Sequence, residues 1–358
     1  MTRPARALLS AQALRHNLAQ VRARAPRAKI IAVVKANAYG HGLAWAARTL
    51  AEADAFGVAA AEEGLQLRAA GVIKPICLLE GFFGPEELPL IAQHGFVSAI
   101  HREGQLQMLE AAQGVAPLTV WLKIDTGMHR LGFAPEAVAD ALRRLQSCVA
   151  VREVRVMSHF ANADDTNDPM TREQLQRLQA KIAGRGLEAS IANSAGIVAW
   201  PDSHLDWVRP GIMLYGGAPL AQMPAQAFSL KPVMTLTTAL IAVSRYRKGD
   251  PIGYSGQYRC PEDMPVGVAA IGYGDGYPRR MPAGTPVLVN GKRVPLAGRV
   301  SMDMITLDLR SQPNAKVGDP VVLWGEGLPV DEIAELAGTV SYELFCQVTP
   351  RVPRIAVD

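Results

Sequence analysis

At 358 residues the chain is long for one compact domain and comfortable for two, and its 49% hydrophobic and 20% charged content is that of a globular protein. The net charge of +4 comes from interspersed Lys/Arg and Asp/Glu without a basic run, which argues against nucleic acid, and no stretch approaches the ~20 apolar residues of a membrane span. The first ten residues hold too short an apolar core for a signal peptide, and Cys77, Cys148, Cys260 and Cys346 form no Cys-x-x-Cys, so a reducing compartment, the cytoplasm, is expected.

In chain order, Ser10 is placed to cap a helix over Ala11–Arg24, which Pro26 ends. Eight strand candidates follow at residues 29–35, 55–60, 75–81, 97–101, 118–125, 151–159, 188–193 and 207–215. Amphipathic stretches lie between them, at 43–53, 62–70, 86–94, 103–112, 135–147 and 171–183. Strands alternating with helices predict parallel β/α units, and a count of eight favours a closed TIM-type barrel over an open sheet. No Gly-x-Gly-x-x-Gly follows the first strand, which disfavours a dinucleotide fold. After about residue 220 the texture changes to Thr/Val/Ile-rich runs separated by turns. Asn290-Gly291 between Pro286–Val289 and Lys292–Pro295 predicts a hairpin, and Val330–Ala337 a short helix. The expected organisation is a barrel over residues 1–228 and a mainly β domain over 229–358, with 219–229 as linker or barrel loop.

Catalytic groups of a β/α barrel sit at the C-terminal ends of its strands. Those ends carry Lys35, then Lys123 and Asp125 with Arg130 beyond, then His159, Asn193-Ser194 and Arg209-Pro210-Gly211. Each has a plain structural alternative: a snorkelling lysine, a core histidine, a helix cap, half an ion pair. Lys35 is the sharpest case. A strand ending in a desolvated amine presents a nucleophile able to form a Schiff base with a carbonyl. The acidic loop Asp164-Asp165-Thr166-Asn167-Asp168 misses the EF-hand spacing and reads as a solvated loop or helix cap, and no metal site is expected.

The segment Val33-Val34-Lys35-Ala36-Asn37-Ala38-Tyr39-Gly40-His41-Gly42 closely resembles the cofactor-lysine motif of alanine racemases, pyridoxal-phosphate enzymes with a barrel fold. The resemblance continues in order through Trp121-Leu122-Lys123-Ile124-Asp125-Thr126-Gly127-Met128-His129-Arg130-Leu131-Gly132, Ser158-His159-Phe160, Asn193-Ser194 and Arg209-Pro210-Gly211. Beyond the barrel it includes Gly253-Tyr254-Ser255, Gly272-Tyr273-Gly274-Asp275-Gly276-Tyr277-Pro278, Gly298-Arg299-Val300-Ser301-Met302-Asp303 and Ser341-Tyr342-Glu343. It covers nearly the whole chain. It implies that Lys35 holds pyridoxal 5'-phosphate, that Tyr39, Ser194, Gly211, Ile212 and Tyr342 serve its phosphate, and that Asn193 is a further cofactor-binding residue. Arg209 would face the ring nitrogen beside His159. Arg130 would reach the cofactor's phenolic oxygen and the substrate carboxylate, which Met302 would also meet through its N–H. Lys123 is expected to support Arg130 as a carboxylated lysine, with a buried neutral amine as the rival.

The same resemblance implies interconversion of L- and D-alanine by two bases on opposite faces of Cα, Lys35 and Tyr254. Tyrosine ordinarily titrates near ~10, so a phenolate needs a cationic neighbour, for which Arg209 with His159 is the expected source. A turn tyrosine after Gly253 is the bland alternative. Tyr254, Tyr273, Met302 and Asp303 would act in the partner's site of a head-to-tail homodimer with shared active sites. The rivals are a racemase of broader specificity, a barrel-type decarboxylase, and a non-catalytic pyridoxal-phosphate-binding protein. That last class lacks a β domain.

Overall fold

The first strand of the chain stands apart from the eight that follow it. The structure, a computed structural model, describes residues 3–358. Strand β1 (Arg6–Leu9) joins the distant second sheet, whereas β2 (Lys29–Val33), β3 (Ala55–Val58), β4 (Ile76–Leu78), β5 (Phe96–Ile100), β6 (Leu118–Lys123), β7 (Val151–Met157), β8 (Ala189–Ser190) and β9 (Trp207–Val208) form a closed barrel. Each pairs in parallel with the next, and β9 returns to β2 through Lys29 against Trp207 and Ile30 against Val208. The eightfold alternation thus closes as expected. Ser10 caps helix Ala11–Arg24, its Oγ accepting from the Ala13 N–H at 3.0 Å.

Three strands are shorter than their apolar runs suggest. β2 stops at Val33, because the backbone turns left-handed after Lys35. β8 stops at Ser190, since Asn193 already caps helix Ser194–Ala199, accepting from the Gly196 N–H at 2.9 Å. β9 stops at Val208: Pro210 has no N–H to donate, and Ile212–Tyr215 coils into a tight 3-10 turn.

Side chains alternate inward and outward along each strand, and the inward set forms layers. Ile31, Cys77, Trp121, Met157 and Trp207 fill the middle of the barrel. Two residues on, toward the C-terminal mouth, the same strands turn Val33, Lys123, His159 and Arg209 to a cavity. At the opposite end Arg155 lies over the Trp121 and Trp207 rings, at 5.7 and 5.3 Å. It is held by Glu153 at 2.8 Å and Glu188 at 3.1 Å. Glu188 also takes Lys29 at 2.7 Å and the Trp207 indole N–H at 2.7 Å. The barrel is therefore plugged below by an ion-paired cluster and open to a cavity only at its mouth.

The second unit is a sheet built on β10 (Met234–Tyr246). Its other members are β13 (Met264–Ala269), β14 (Pro286–Val289), β15 (Lys292–Pro295), β16 (Ile305–Asp308), β17 (Pro320–Trp324) and β18 (Arg354–Ala356), and a separate two-stranded hairpin, β11 (Pro251–Ile252) and β12 (Tyr258–Arg259), leaves it after β10. The main sheet runs β15-β14-β17-β10-β1-β18, with β13 pairing β10 and β16, and β11 pairing only β12. The Asn290-Gly291 hairpin forms as expected, both turn residues at positive φ. β1 pairs β10 antiparallel and β18 in parallel, so a strand from the N-terminus sits inside the C-terminal sheet.

Helix Val330–Ala337 is present, and a second helix, Ser341–Gln347, that composition did not signal lies across the barrel mouth. Among the described residues no helix is long and apolar enough to cross a membrane.

Candidate active site

The cavity at the barrel mouth has a volume of about 630 Å³. It is lined by Lys35, Tyr39, Lys123, Arg130, His159, Asn193, Ser194, Arg209 and Gly211, and by Tyr342 and Cys346 from helix Ser341–Gln347. Of the barrel residues singled out from the sequence, Asp125, Pro210 and Ile212 do not line it; Asp125 instead accepts from the Gly127 and His129 N–H groups, each at 3.0 Å. Ile212 lies just behind, fully buried.

Lys35 opens an unusual stretch of backbone. Ala36, Asn37, Ala38 and Tyr39 all have φ between 51° and 55°, one turn of left-handed helix without a glycine. Such backbone costs roughly 1–2 kcal/mol per residue, so other groups must hold it. Glu63 accepts from the Ala36 N–H at 2.6 Å and the Ala59 N–H at 2.8 Å. Asn37 Oδ1 accepts from the Leu43 N–H at 2.8 Å. His41 Nδ1 lies 3.0 Å from the Ala38 carbonyl and 2.9 Å from that of Tyr39. Strain of this kind, directly after a cavity lysine, is a mark of a functional site.

Tyr39 is buried against Tyr215 and Tyr342, with ring centroids 4.7 and 5.7 Å away. Burial pushes its phenol well above the ordinary value. It therefore stays a hydroxyl. Beside it, Ser194 Oγ accepts from the Gly211 N–H at 2.9 Å and the Met213 N–H at 3.3 Å. A Cβ on Gly211 would stand 2.6 Å from the Tyr39 hydroxyl. Backbone, hydroxyls and Asn193 thus form a narrow cup of donors suited to phosphate.

Across the cavity, buried Arg209 donates to Ser190 Oγ and to the Ser158 carbonyl, and its Nη2 lies 3.3 Å from His159 Nδ1. Burial lowers the guanidinium to about 10, leaving it charged at neutral pH. Burial, then the charge of Arg209, hold His159 well below the ordinary imidazole value, so it is neutral and its Nδ1 accepts. Lys123 is buried two residues beyond Trp121. Burial first, then Arg209, Arg130 and Lys35, lower it to about 8. Lys35, Lys123, Arg130 and Arg209 face the space, with Glu80 the one carboxylate in its lining. Such a cavity calls for anions.

Tyr254, Tyr273, Met302 and Asp303 do not line this cavity. Tyr254 is 69% exposed on the β11–β12 turn, where Gly253 and Ser255 have positive φ. Tyr273 and Met302 are knitted together by backbone, the Tyr273 N–H donating to the Ser301 carbonyl and the Gly274 N–H to that of Met302. Fully buried Asp275 accepts from Arg3 at 2.6 and 2.8 Å and from the Gly272 N–H at 3.0 Å, fixing that loop. Within one chain, then, the barrel set converges and the β-domain set does not join it.

Sequence reasoning assigned no role to Glu63, Glu80, His41 or Cys346. His41 was visible only as part of a motif. Glu80, just past the end of β4, carried the same strand-end signal as the residues singled out, whereas Glu63 and Cys346 carry no local signal. In the acidic loop, Asp168 accepts from the Met170 N–H at the start of helix Met170–Ile182 at 2.8 Å and from the Asn162 amide at 2.6 Å.

A plugged β/α barrel with a lysine and a donor cup at its mouth, roofed by a helix of a β domain, defines a barrel protein with one cation-rich cavity suited to a small anion. Residues 9–219 match the family model for the alanine racemase N-terminal domain, and residues 233–356 that for the C-terminal domain. An alanine racemase of Nitrosococcus oceani is 56% identical over 97% of this chain and 98% of its own length. A biosynthetic alanine racemase of Escherichia coli is 53% identical over 98% of each. The crystal structure of biosynthetic alanine racemase from Pseudomonas aeruginosa superposes with a TM-score of 0.97 at 46% identity, over 100% of both chains. That of Acinetobacter baumannii alanine racemase gives 0.93 at 38%, over 99% of this chain and 100% of the other. The chain belongs to the alanine racemase family.

Proposed function

We propose that this protein interconverts L- and D-alanine with pyridoxal 5'-phosphate held at Lys35. The observation that carries the reading is the single cavity in which Lys35, Arg209 and the Ser194–Gly211 cup converge. The bound cofactor supplies an aldehyde that takes up amines and a ring that withdraws electrons from the substrate's Cα. The residues fit it: a donor cup for a phosphate, a reachable amine, and excess positive charge for anions.

Ser194, Tyr39, Asn193 and Tyr342, with backbone at Gly211 and Ile212, bind the phosphate. Arg209 would serve the ring nitrogen; because a guanidinium does not readily surrender its proton, electron withdrawal there would stay modest and proton exchange would be favoured over side reactions. His159, neutral, accepts from Arg209 and, with Ser190 and the Ser158 carbonyl, fixes its guanidinium. Arg130 orients the substrate carboxylate, helped by the Met302 N–H of the partner subunit. A carbamate on Lys123 pairs with Arg130, and the lowered basicity of Lys123 supports its formation, since only a free amine adds carbon dioxide.

Proton transfer at Cα falls to Lys35 Nζ on one face and to the phenolic oxygen of Tyr254 of the partner subunit on the other. Tyr273 and Asp303 of the partner subunit support that face. This requires a homodimer with two composite sites, and the exposure of Tyr254, Tyr273 and Met302 on one chain is consistent with it. Residues 1–228 and 229–358 are the proposed domains, the first lending strand β1 to the sheet of the second. Four free cysteines support a cytoplasmic setting.

Incubation with either alanine enantiomer in deuterium oxide tests the reading. Deuterium should enter Cα of both without release of carbon dioxide, and borohydride should abolish activity and visible colour together. Carbon dioxide release, or colour without exchange, would sink it.

A further inference from the structure

A fully buried histidine, His41, lies behind the cavity and is not part of its lining. Its ring lies 4.7 Å from that of Tyr215 and 4.9 Å from that of Phe345. Nδ1 faces two carbonyl oxygens, of Ala38 at 3.0 Å and Tyr39 at 2.9 Å, so Nδ1 carries the proton. Nε2 has no partner. Burial holds the imidazole down to about 4, which leaves it neutral with that one donor. An apolar ring would fill the same space without stranding a buried acceptor. What the histidine adds is therefore the Nδ1–H.

The two carbonyls it holds belong to the left-handed turn. Alanine favours right-handed backbone, yet Ala36 and Ala38 stand at φ 52° and 53°. A return of either to the right-handed region would rotate Tyr39 relative to Lys35. Glu63 secures the start of the turn at the Ala36 N–H, and His41 secures its end.

We infer that His41 is a positioning residue: by donating to the Ala38 and Tyr39 carbonyls it maintains the strained turn that sets the Lys35 amine against the Tyr39 hydroxyl. The inference rests on the cofactor site proposed above. It predicts that the donor, not the ring, is what function needs.

His41→Phe keeps an aromatic ring between Tyr215 and Phe345 and removes the donor. His41→Asn keeps a donor near the Nδ1 position and loses the ring. Both are measured against the wild-type holoenzyme for melting temperature, cofactor affinity by titration of the apoprotein with pyridoxal phosphate, and kcat and KM for alanine. Displacement of a reacting group by ~1 Å is worth on the order of 100-fold. His41→Phe should melt near the wild type, yet bind cofactor at least tenfold more weakly and lose ten- to a hundredfold in kcat. His41→Asn should melt lower but keep cofactor affinity within threefold. The order of stability and the order of function should thus cross, which a merely structural histidine would not produce.

Wild-type affinity in a folded His41→Phe overturns the inference, as does a folded His41→Asn impaired more than tenfold. If His41→Phe does not fold, His41→Asn alone decides. A wild type that takes up no cofactor sinks the proposed function instead. A crystal structure of His41→Phe then still tests whether residues 36–39 leave the left-handed region.

Discussion

Gly40→Ala tests how the barrel mouth and helix Ser341–Gln347 depend on each other. Gly40 has φ +76°, and a Cβ built there stands 2.2 Å from the Phe345 carbonyl oxygen and 3.0 Å from its carbon. Both atoms are backbone, so no side-chain rotation relieves the overlap. Ordinary C···O separation is about 3.3 Å, hence the helix must retreat by ~1 Å. The left-handed backbone costs alanine roughly 1–2 kcal/mol, and overpacking adds about 1–3 kcal/mol. Gly71→Ala is the control: φ is +85° and nothing lies within 4 Å, so only the backbone cost of ~1–2 kcal/mol applies.

Urea unfolding of the two variants side by side should therefore separate them by about 1–3 kcal/mol, the worth of the clash alone. Helix Ser341–Gln347 carries Tyr342 and Cys346 into the cavity. Its retreat should cost Gly40→Ala on the order of 100-fold in kcat/KM, while Gly71→Ala keeps wild-type kinetics. Equal unfolding midpoints and equal kinetics would falsify the close contact between turn and helix.

Lys35→Ala should leave the protein folded and colourless with pyridoxal phosphate, and a visible band that survives dialysis would remove Lys35 from its role. Lys123, lowered from 10.5 to about 8, gains neutral amine as pH rises through that value. At fixed dissolved ¹³CO₂ its carbamate signal should grow from roughly pH 7 to roughly pH 9 and vanish in Lys123→Arg; a flat signal contradicts the assignment. Mixing inactive Lys35→Ala with inactive Tyr254→Phe chains should restore activity, because a mixed dimer assembles one site with both groups intact. Random pairing predicts about a quarter of wild-type activity, and no recovery argues against composite sites. Tyr254→Ala should impair proton exchange from one alanine enantiomer far more than from the other, as followed by deuterium entry; equal mild losses speak against two bases.

What could be read from residue order alone was everything that repeats or that is local. Eight apolar runs alternating with helical patterns foretold a closed barrel, and Asn290-Gly291 its hairpin, because period and turn chemistry are properties of neighbouring residues. The pairs Trp121/Lys123 and Trp207/Arg209 even carried the depth of the site, two residues along a strand being one layer up. Strand ends were less legible, since Lys35, Asn193 and Pro210 stop pairing through backbone events that hydrophobicity does not register.

Tertiary structure decided the rest. Only chain crossing brings Glu63 to the Ala36 N–H, the Phe345 carbonyl onto Gly40, and β1 into a sheet more than two hundred residues away. The left-handed turn needs near and distant contacts together. Local preference at Ala36 and Ala38 points to right-handed helix, and it is overridden by the nearby His41 and Asn37 side chains together with Glu63 from the next β/α unit. A contact between residues far apart leaves no trace in either one's neighbours, so no reading of sequence by period or propensity could have supplied it.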